Sequence, residues 1–439
     1  MSNLHLLKLA WRNCLRMWRY TLSAFIILAV GLISLFLFRG YLAGTDEMWD
    51  TIFRARTMLG DVQIETLESE GKTGWAAMIS DDAQAKLATV LEKYEDRIET
   101  KARFIQVQGE AALNSETAAF IGLAFDREGG KILRGKKWEW DALAGEPLNA
   151  PRDVVMGSPL AELLGCDIPT TAFVNLRAGE PGYVAENRPF RCNGEDGSKA
   201  KVMLRVSTES GQTNATYLNF KGSVNAGFPE LDRMWVMLNL EDAQKLLDTK
   251  KISRLSIQLR PGFSAREFVK ELQPELAGLG LRAMTWQVHR VSELYRRVTA
   301  VFVVHELFAV SILHGLIMLS IFNLMLKIID ERTREIGLLQ ALGYRAGTIR
   351  KLFIYEASIS SLAGLAAGSV VAVGIGLLLN HLGILYDGGF LSEPIPFYVS
   401  LSPRIWLWTS GTLFGVAVAS AFAAILRALK KTVVECLVH

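Results

Sequence analysis

The stretch YTLSAFIILAVGLISLFLF, residues 20–38, decides the fold class: nineteen residues between Arg19 and Arg39 carry no charge. That is close to the ~20 apolar residues needed to cross a hydrocarbon core of ~30 Å. The basic approach to it, Lys8, Arg12, Arg16 and Arg19, also suits a secretory signal. The run is long and no small-x-small cleavage site follows, so it reads as a retained span. Before it, Leu6 to Trp18 mixes apolar and basic residues with two tryptophans, the pattern of a helix lying in the inner interface.

Three further runs lie downstream. Val298 to Leu326 holds one formal charge, Glu306, with His305 and His314. At ~1.5 Å per residue it reaches ~43 Å, so the helix should project beyond the bilayer. Ala357 to Tyr386 is uncharged, and Ile405 to Leu426 lies between Arg404 and Arg427. Orientation follows from Lys and Arg near the span ends. The leading segment has four, the loop from Lys327 to Lys351 has six, and the tail begins Arg427, Lys430, Lys431, whereas the connection from Asp387 to Arg404 has only Arg404. Both termini are therefore expected on the cytoplasmic side of the membrane.

The fold class expected is a membrane protein with four transmembrane α-helices, one plus three, and a large α+β extracytoplasmic domain between spans 1 and 2. The expected division is an interfacial helix at 1–19, spans at 20–43, 298–327, 353–386 and 405–427, the outer domain at 44–297, a cytoplasmic loop at 328–352, a short outer loop at 387–404 and a tail at 428–439. The chain has 439 residues, half of them hydrophobic, with net charge +3. Nothing in this balance calls for a nucleic-acid partner.

In the outer segment, Val62-Gln63-Ile64, Phe104 to Val107, Phe173 to Leu176, Val202 to Val206 and Leu255 to Leu259 read as strands by alternation or β-branching. Ser80 to Tyr94, Leu240 to Leu247 and Ser264 to Leu276 read as helices, with Ser80 and Ser264 as N-caps. Asn187 to Ala200, with Pro, Gly and charges, reads as a flexible excursion. Cys166 and Cys192 both fall outside, where they either bridge or stay as two buried thiols; Cys14 and Cys436 face the reducing cytoplasm.

Catalytic and metal motifs fail on inspection. Gly71-Lys72-Thr73 resembles the end of a phosphate loop, but position 66 is Thr66 where that loop has glycine. His305-Glu306 begins like a zinc-protease helix, yet position 309 is Ala309, and no GxSxG elbow occurs. No catalytic residue, metal or bound cofactor is expected in this chain. His305 and Glu306 either sit at headgroup depth or line a substrate cavity at the mouth of the bundle, and Phe302 and Phe308 beside them either wall that cavity or form a dimer contact. His314, deeper, suits an interhelical hydrogen bond. Gly364 with Gly368 and Gly411 with Gly415 are spaced four apart, which lets helices approach closely.

Asp330-Glu331-Arg332-Thr333-Arg334-Glu335-Ile336-Gly337-Leu338-Leu339-Gln340-Ala341-Leu342-Gly343-Tyr344 has a charged start, an apolar continuation and a glycine placed to end a short amphipathic helix. Here the sequence resembles the FtsX-like permease family. The Glu-Arg-x-Arg-Glu-Ile-Gly run, the following Ala-Leu-Gly and Glu356 at the start of the next span are intact. Gly60 to Ile64, Val154 to Gly165 and Met237 to Leu247 look like outer-domain segments of lipoprotein-releasing and macrolide-exporter permeases. The tail Thr432 to Leu437 is similar to the family's Pro-Val-Glu-Ala-Leu ending, with Val433 for Pro and Cys436 for Ala.

The resemblance implies a permease that pairs with a second copy or paralogue and with two cytoplasmic ATPase subunits, which hold ATP and Mg. It implies that the 331–344 helix couples to the ATPase through Glu331, Arg332, Arg334, Glu335, Ile336, Gly337, Leu339 and Gly343. A lipid-anchored or amphiphilic substrate, drawn from membrane lipid and passed to a periplasmic carrier or adaptor, is the leading expectation. The alternatives are an ATPase-driven regulator of a cell-wall hydrolase and a peptide or toxin exporter.

Overall fold

The computed structural model describes residues 3–70, 74–134, 142–168, 189–224, 226–386 and 395–428. It divides into two units, one of Met1–Asp46, Thr299–Ile384 and Phe397–His439, the other of Glu47–Val298 and Leu385–Pro396.

The first unit is helical. A short helix α1 (Asn3–Arg16) precedes α2 (Trp18–Thr51), and the chain returns as α9 (Glu293–Glu331), α10 (Thr333–Ala341), α11 (Ala346–Leu382) and α12 (Pro403–Ala428). Among the described residues, four helices are long and apolar enough to cross a membrane. Each starts before the uncharged stretch that announces it: α9, expected at 298–327, starts five residues earlier and ends four later, whereas α11 starts earlier but stops at Leu382, where Gly383 in the left-handed conformation ends it short of Tyr386. The charged turns at the ends of α9 continue the helical hydrogen bonding, which hydropathy does not register.

α1 splits its apolar residues between two faces. Leu6, Ala10 and Cys14, four apart, are buried, while Leu4, Leu7, Trp11 and Leu15 are exposed. Leu28, Leu32 and Leu35 of α2 pack with Ile317, Ile321 and Met325 of α9, Phe353 and Leu365 of α11, and Leu413 and Ala417 of α12. Two glycines let α2 and α11 approach closely. A Cβ on Gly364 would stand 2.7 Å from the Phe25 carbonyl oxygen, and one on Gly368 would stand 2.9 Å from Ala29 Cα. A Cβ on Gly411 or Gly415 would meet nothing within 4 Å, so this pair faces away from the described neighbours.

The second unit is built on a ten-stranded sheet. Its order is β13 (Leu281–Thr285), β1 (Val62–Thr66), β12 (Arg254–Leu259), β2 (Ile98–Leu113), β3 (Glu116–Phe125), β11 (Trp235–Asn239), β5 (Asp153–Gly157), β10 (Thr213–Val224), β4 (Ala142–Gly145), with β9 (Lys201–Ser207) pairing both β10 and β2. Pairing is antiparallel except β3 with β11 and β5 with β10. Alternation sends Val154, Met156, Val236 and Leu238 to one face, under α3 (Asp81–Glu92), α7 (Leu240–Leu247) and α8 (Ala265–Ala277). Val155, Met237, Phe104 and Phe125 go to the other, where Leu133 of α4 (Arg127–Arg134) covers them. Ser80 caps α3 by accepting from the Ala83 N–H, and Ser264 caps α8 by accepting from the Glu267 N–H.

Arg191 to Ala200, read as part of a flexible excursion, is ordered. After α5 (Ser158–Leu163), β6 (Cys166–Asp167), β7 (Arg191–Cys192) and β8 (Glu195–Asp196) form a small sheet, and a disulfide joins Cys166 to Cys192 across the β6–β7 pair. The cross-link supplies the order that the local composition does not. The strand read at Phe173 to Leu176, the Gly71-Lys72-Thr73 stretch and the tail from 429 lie outside the described residues.

Chain entry and exit of this unit meet in an aromatic cluster. Phe53, in a π-helical turn (Ile52–Arg56) at the end of α2, lies 5.8 Å from the Tyr295 ring and 5.7 Å from Phe228. Tyr295 in turn lies 4.8 Å from Trp286.

Candidate functional site

The charged run that follows α9 divides into two sets. α9 ends at Glu331, the chain bends at Arg332, and α10 starts at Thr333, whose hydroxyl donates back to the Ile329 carbonyl. The bend turns Arg332 inward. Its guanidinium, 8% exposed, lies 4.8 Å from the Phe353 ring centre and donates to Glu356 at 2.7 Å and to Glu335 at 3.0 Å.

Glu356, the one acid between Ala346 and Tyr386, also accepts from the Asn13 amide at 2.6 Å. Glu335 also pairs with Arg16, and Glu331 accepts from the Tyr20 hydroxyl. Burial alone pushes the Glu335 carboxyl up, but Arg332 and then Arg16 outweigh it and hold it below the ordinary carboxylate range. Beside the cluster is a cavity of about 20 Å³, lined among others by Asn13, Cys14, Tyr20 and Glu356, room for about one water molecule.

The apolar residues of α10 divide in the same way. Ile336 is buried with Ile349 and Phe353, Leu339 is half-buried against that core and Gly337 is buried. Facing out instead are Arg334, Leu338, Ala341 and Leu342, with Leu338 57% and Leu342 68% exposed. Residues 334, 338 and 342 are four apart and so share one stripe. Gly343, at φ +85°, ends the helix in the left-handed conformation. A helix of this length with residues on both sides of the period carries two apolar stripes. Sequence spacing does not say which of them faces the body of the protein.

At the other end of α9 the candidate cavity residues separate. Glu306 faces α2 and pairs with Arg39 at 2.8 Å. His305 is exposed and donates from Nδ1 to the Val301 carbonyl one turn back. Phe308 is 70% exposed, on a face shared with Val301, Val304 and Ile312. His314 bonds the Val310 carbonyl and, across to α12, the Thr412 hydroxyl.

A buried polar cluster in the sheet unit has no counterpart among the residues singled out from sequence. Glu65 of β1 faces His289 at 2.8 Å, Arg282 at 3.8 Å and the Ser69 hydroxyl. The Val291 N–H donates to His289 Nδ1, so the ring is the neutral tautomer with its proton on Nε2, donated to Glu65. Burial depresses the His289 pKa below the ordinary value. Burial pushes Glu65 up, but His289, Ser69 and Arg254 bring it down to about 2. Arg254, half-buried, is pulled to about 10 by desolvation, with Glu65 working against the shift.

Four helices long and apolar enough to cross a membrane, with a sheet unit between the first and second of them in chain order, are the architecture of a multi-pass membrane protein. Residues 307–433 match the family described as FtsX-like permease C-terminal, so this part of the chain is an FtsX-like permease region. The chain is 35% identical over 111 residues to the macrolide export ATP-binding/permease protein MacB of Wolinella succinogenes, covering 24% of this chain and 15% of that protein. It is 41% identical over 80 residues to the pyoverdine export ATP-binding/permease protein PvdT of Pseudomonas savastanoi, covering 18% and 12%. The ABC transporter permease YtrF of Bacillus subtilis is 34% identical over 62 residues, 14% of each chain. The matched stretches thus span about one-seventh of these relatives. Among solved structures, the periplasmic region of MacB from Actinobacillus actinomycetemcomitans aligns with 54% of this chain and 94% of its own, at 10% identity and a TM-score of 0.33.

Proposed function

We propose that the protein is the permease subunit of an ATP-binding-cassette transporter, coupling ATP hydrolysis in a separate cytoplasmic ATPase to extraction or export of an amphiphilic or lipid-anchored substrate. The observation that carries this reading is the outward stripe of α10, where Arg334, Leu338 and Leu342 stand exposed on a helix whose other side is locked into the membrane unit. An apolar row with a charged end, presented on a short rigid helix, fits a groove on a protein partner. ATP and Mg belong to that partner, and this chain supplies no catalytic group.

The distribution of Lys and Arg supports α10 and both termini on the cytoplasmic side and the sheet unit outside. The Cys166–Cys192 disulfide agrees with an oxidising compartment for that unit. The substrate side of the reading rests on α9, whose open face carries Val301, Val304, Phe308 and Ile312. Acyl chains or greasy rings laid on such a face gain about 0.8 kcal/mol per buried CH₂. A second permease copy and a periplasmic carrier or adaptor complete the proposed assembly. The relatives named for macrolide and for pyoverdine export are in keeping with an export role.

The test is the pair Leu338→Asp and Leu342→Asp. The variant is expected to insert normally and to lose the co-purifying ATPase. Retention of the ATPase at native stoichiometry would remove the support for docking. Ile336→Asp is not an equivalent probe, because that side chain is inside the helical core.

A further inference from the structure

The hydrogen bonds around Arg332 close into a ring. Starting on α1, Arg16 donates to Glu335 of α10 and Glu335 accepts from Arg332 at the bend. Arg332 then donates to Glu356 of α11, and Glu356 accepts from Asn13, back on α1. Asn13 and Arg16 are three residues apart on one helix and so share a face. The two oxygens of Glu356 are divided between two elements, Oε2 to Arg332 and Oε1 to Asn13. One carboxylate thus bridges the N-terminal helix and the coupling bend.

The two legs of the ring differ in environment. Arg16 and Glu335 are 72% and 40% exposed, so that leg is hydrated and screened by salt. Arg332 and Glu356 are 8% and 11% exposed, so their attraction is screened far less. Around the inner leg the Cys14 thiol donates to the Glu356 carbonyl, and Leu6, Ala10 and Cys14 are buried. The opposite side of α1 presents Leu4, Leu7, Trp11 and Leu15, a face suited to lipid.

We propose that this ring makes α1 part of the coupling element, with Glu356 as the positioning residue that holds α1, α10 and the foot of α11 as one block. Displacement imposed on α10 is then carried to α1 and, through its lipid-facing side, to the inner membrane surface. Transmission of an ATPase's motion rests on the function proposed above. The ring itself does not, and it is testable in the chain alone.

The experiment places nitroxide amino acids at Leu7 and Arg345, both exposed, in the full chain in lipid nanodiscs and reads the distance distribution between them. The native chain is expected to give one narrow distribution. Asn13→Asp keeps the shape of the side chain but replaces the donor with a carboxylate facing Glu356, and is expected to broaden or shift it. Glu356→Gln is expected to do the same, while Arg12→Gln, outside the ring, leaves it unchanged. If Asn13 were only filling space, the isosteric Asp would be silent; native distributions in both Asn13→Asp and Glu356→Gln overturn the proposal. Should either variant fail to insert, Asn13→Ala, which removes the amide donor without adding a charge, must still broaden the distribution, and a native distribution there overturns the ring equally. In the complex with the ATPase, the ring variants are expected to keep it bound, since Leu338 and Leu342 are untouched, and to lower permease-dependent ATP turnover several-fold. Unchanged turnover would confine the ring to a static role and overturn the coupling. If no ATPase binds the native chain, the partner reading falls alone, and the label distances still decide the ring.

Discussion

Replacing Arg332 by Met, which keeps most of the stem and removes the charge, leaves Glu356 with Asn13 as its remaining side-chain partner. The carboxylate is 11% exposed, and removing one member of a buried ion pair costs about 3–5 kcal/mol. Glu356→Leu, the reciprocal change, leaves the guanidinium with Glu335 alone and is expected to cost a similar amount. If the two effects were independent, the double variant would lose about 6–10 kcal/mol, a large share of the ~5–15 kcal/mol that holds a domain folded. Replacing both charges by apolar groups of similar volume also removes both desolvation penalties, so the double variant is expected to return to within about 1–2 kcal/mol of native stability. Unfolding in mixed micelles of rising SDS fraction, followed by fluorescence, measures all four members of the cycle. Single variants of native stability, or a double variant as unstable as the sum, would refute the account of Arg332 and Glu356 as one buried unit.

Four-residue spacing alone does not distinguish the two glycine pairs, but their surroundings do: Gly364→Val is expected to lower insertion or thermal stability of the full chain sharply, since its Cβ would stand 2.7 Å from a carbonyl oxygen, whereas Gly411→Ala is expected to be silent. Changing Cys166 and Cys192 together to Ser opens a 26-residue loop and is expected to cost about 3.5 kcal/mol, seen as a lower melting point of the sheet unit. Acidification should destabilise that unit in two stages. His289 has a depressed folded pKa, so its contribution is complete above pH 6.5 and declines as pH falls below it. Glu65, held at about 2 against an ordinary 4.5, contributes about 3 kcal/mol that fades between these values as pH falls. Glu65→Gln should flatten the lower stage in a stability-against-pH series, and an unchanged profile would contradict the assignment.

The spans were legible because the absence of charge over about 20 residues has one common physical cause, the cost of ions in hydrocarbon. Several sheet strands were legible in part. Phe104 to Val107 marked the middle of β2, but its continuation to Leu113 and all of β10 are polar on one face and gave no apolar run. The short amphipathic helix and its glycine stop could be read at α10, while the choice of Ile336 and Leu339 as the contact row could not. Leu338 and Leu342 satisfy the helical period equally well, and only the packing of α10 shows which row is spent internally. The ring of Asn13, Arg16, Arg332, Glu335 and Glu356 joins residues up to 343 apart in sequence. One signal did exist: a lone acid at the foot of an otherwise uncharged span needs a partner inside the protein. The partner's identity comes only from the fold.

The central claim, that α10 seats its outward stripe in an ATPase, is tested most directly by a photocrosslinking amino acid at Leu338 in native membranes, with the adduct identified by mass spectrometry. The account predicts an adduct with a cytoplasmic nucleotide-binding-cassette subunit, lost when Leu342→Asp is introduced. Adducts with lipid alone, in every nucleotide condition, would place the stripe on the membrane surface and contradict it.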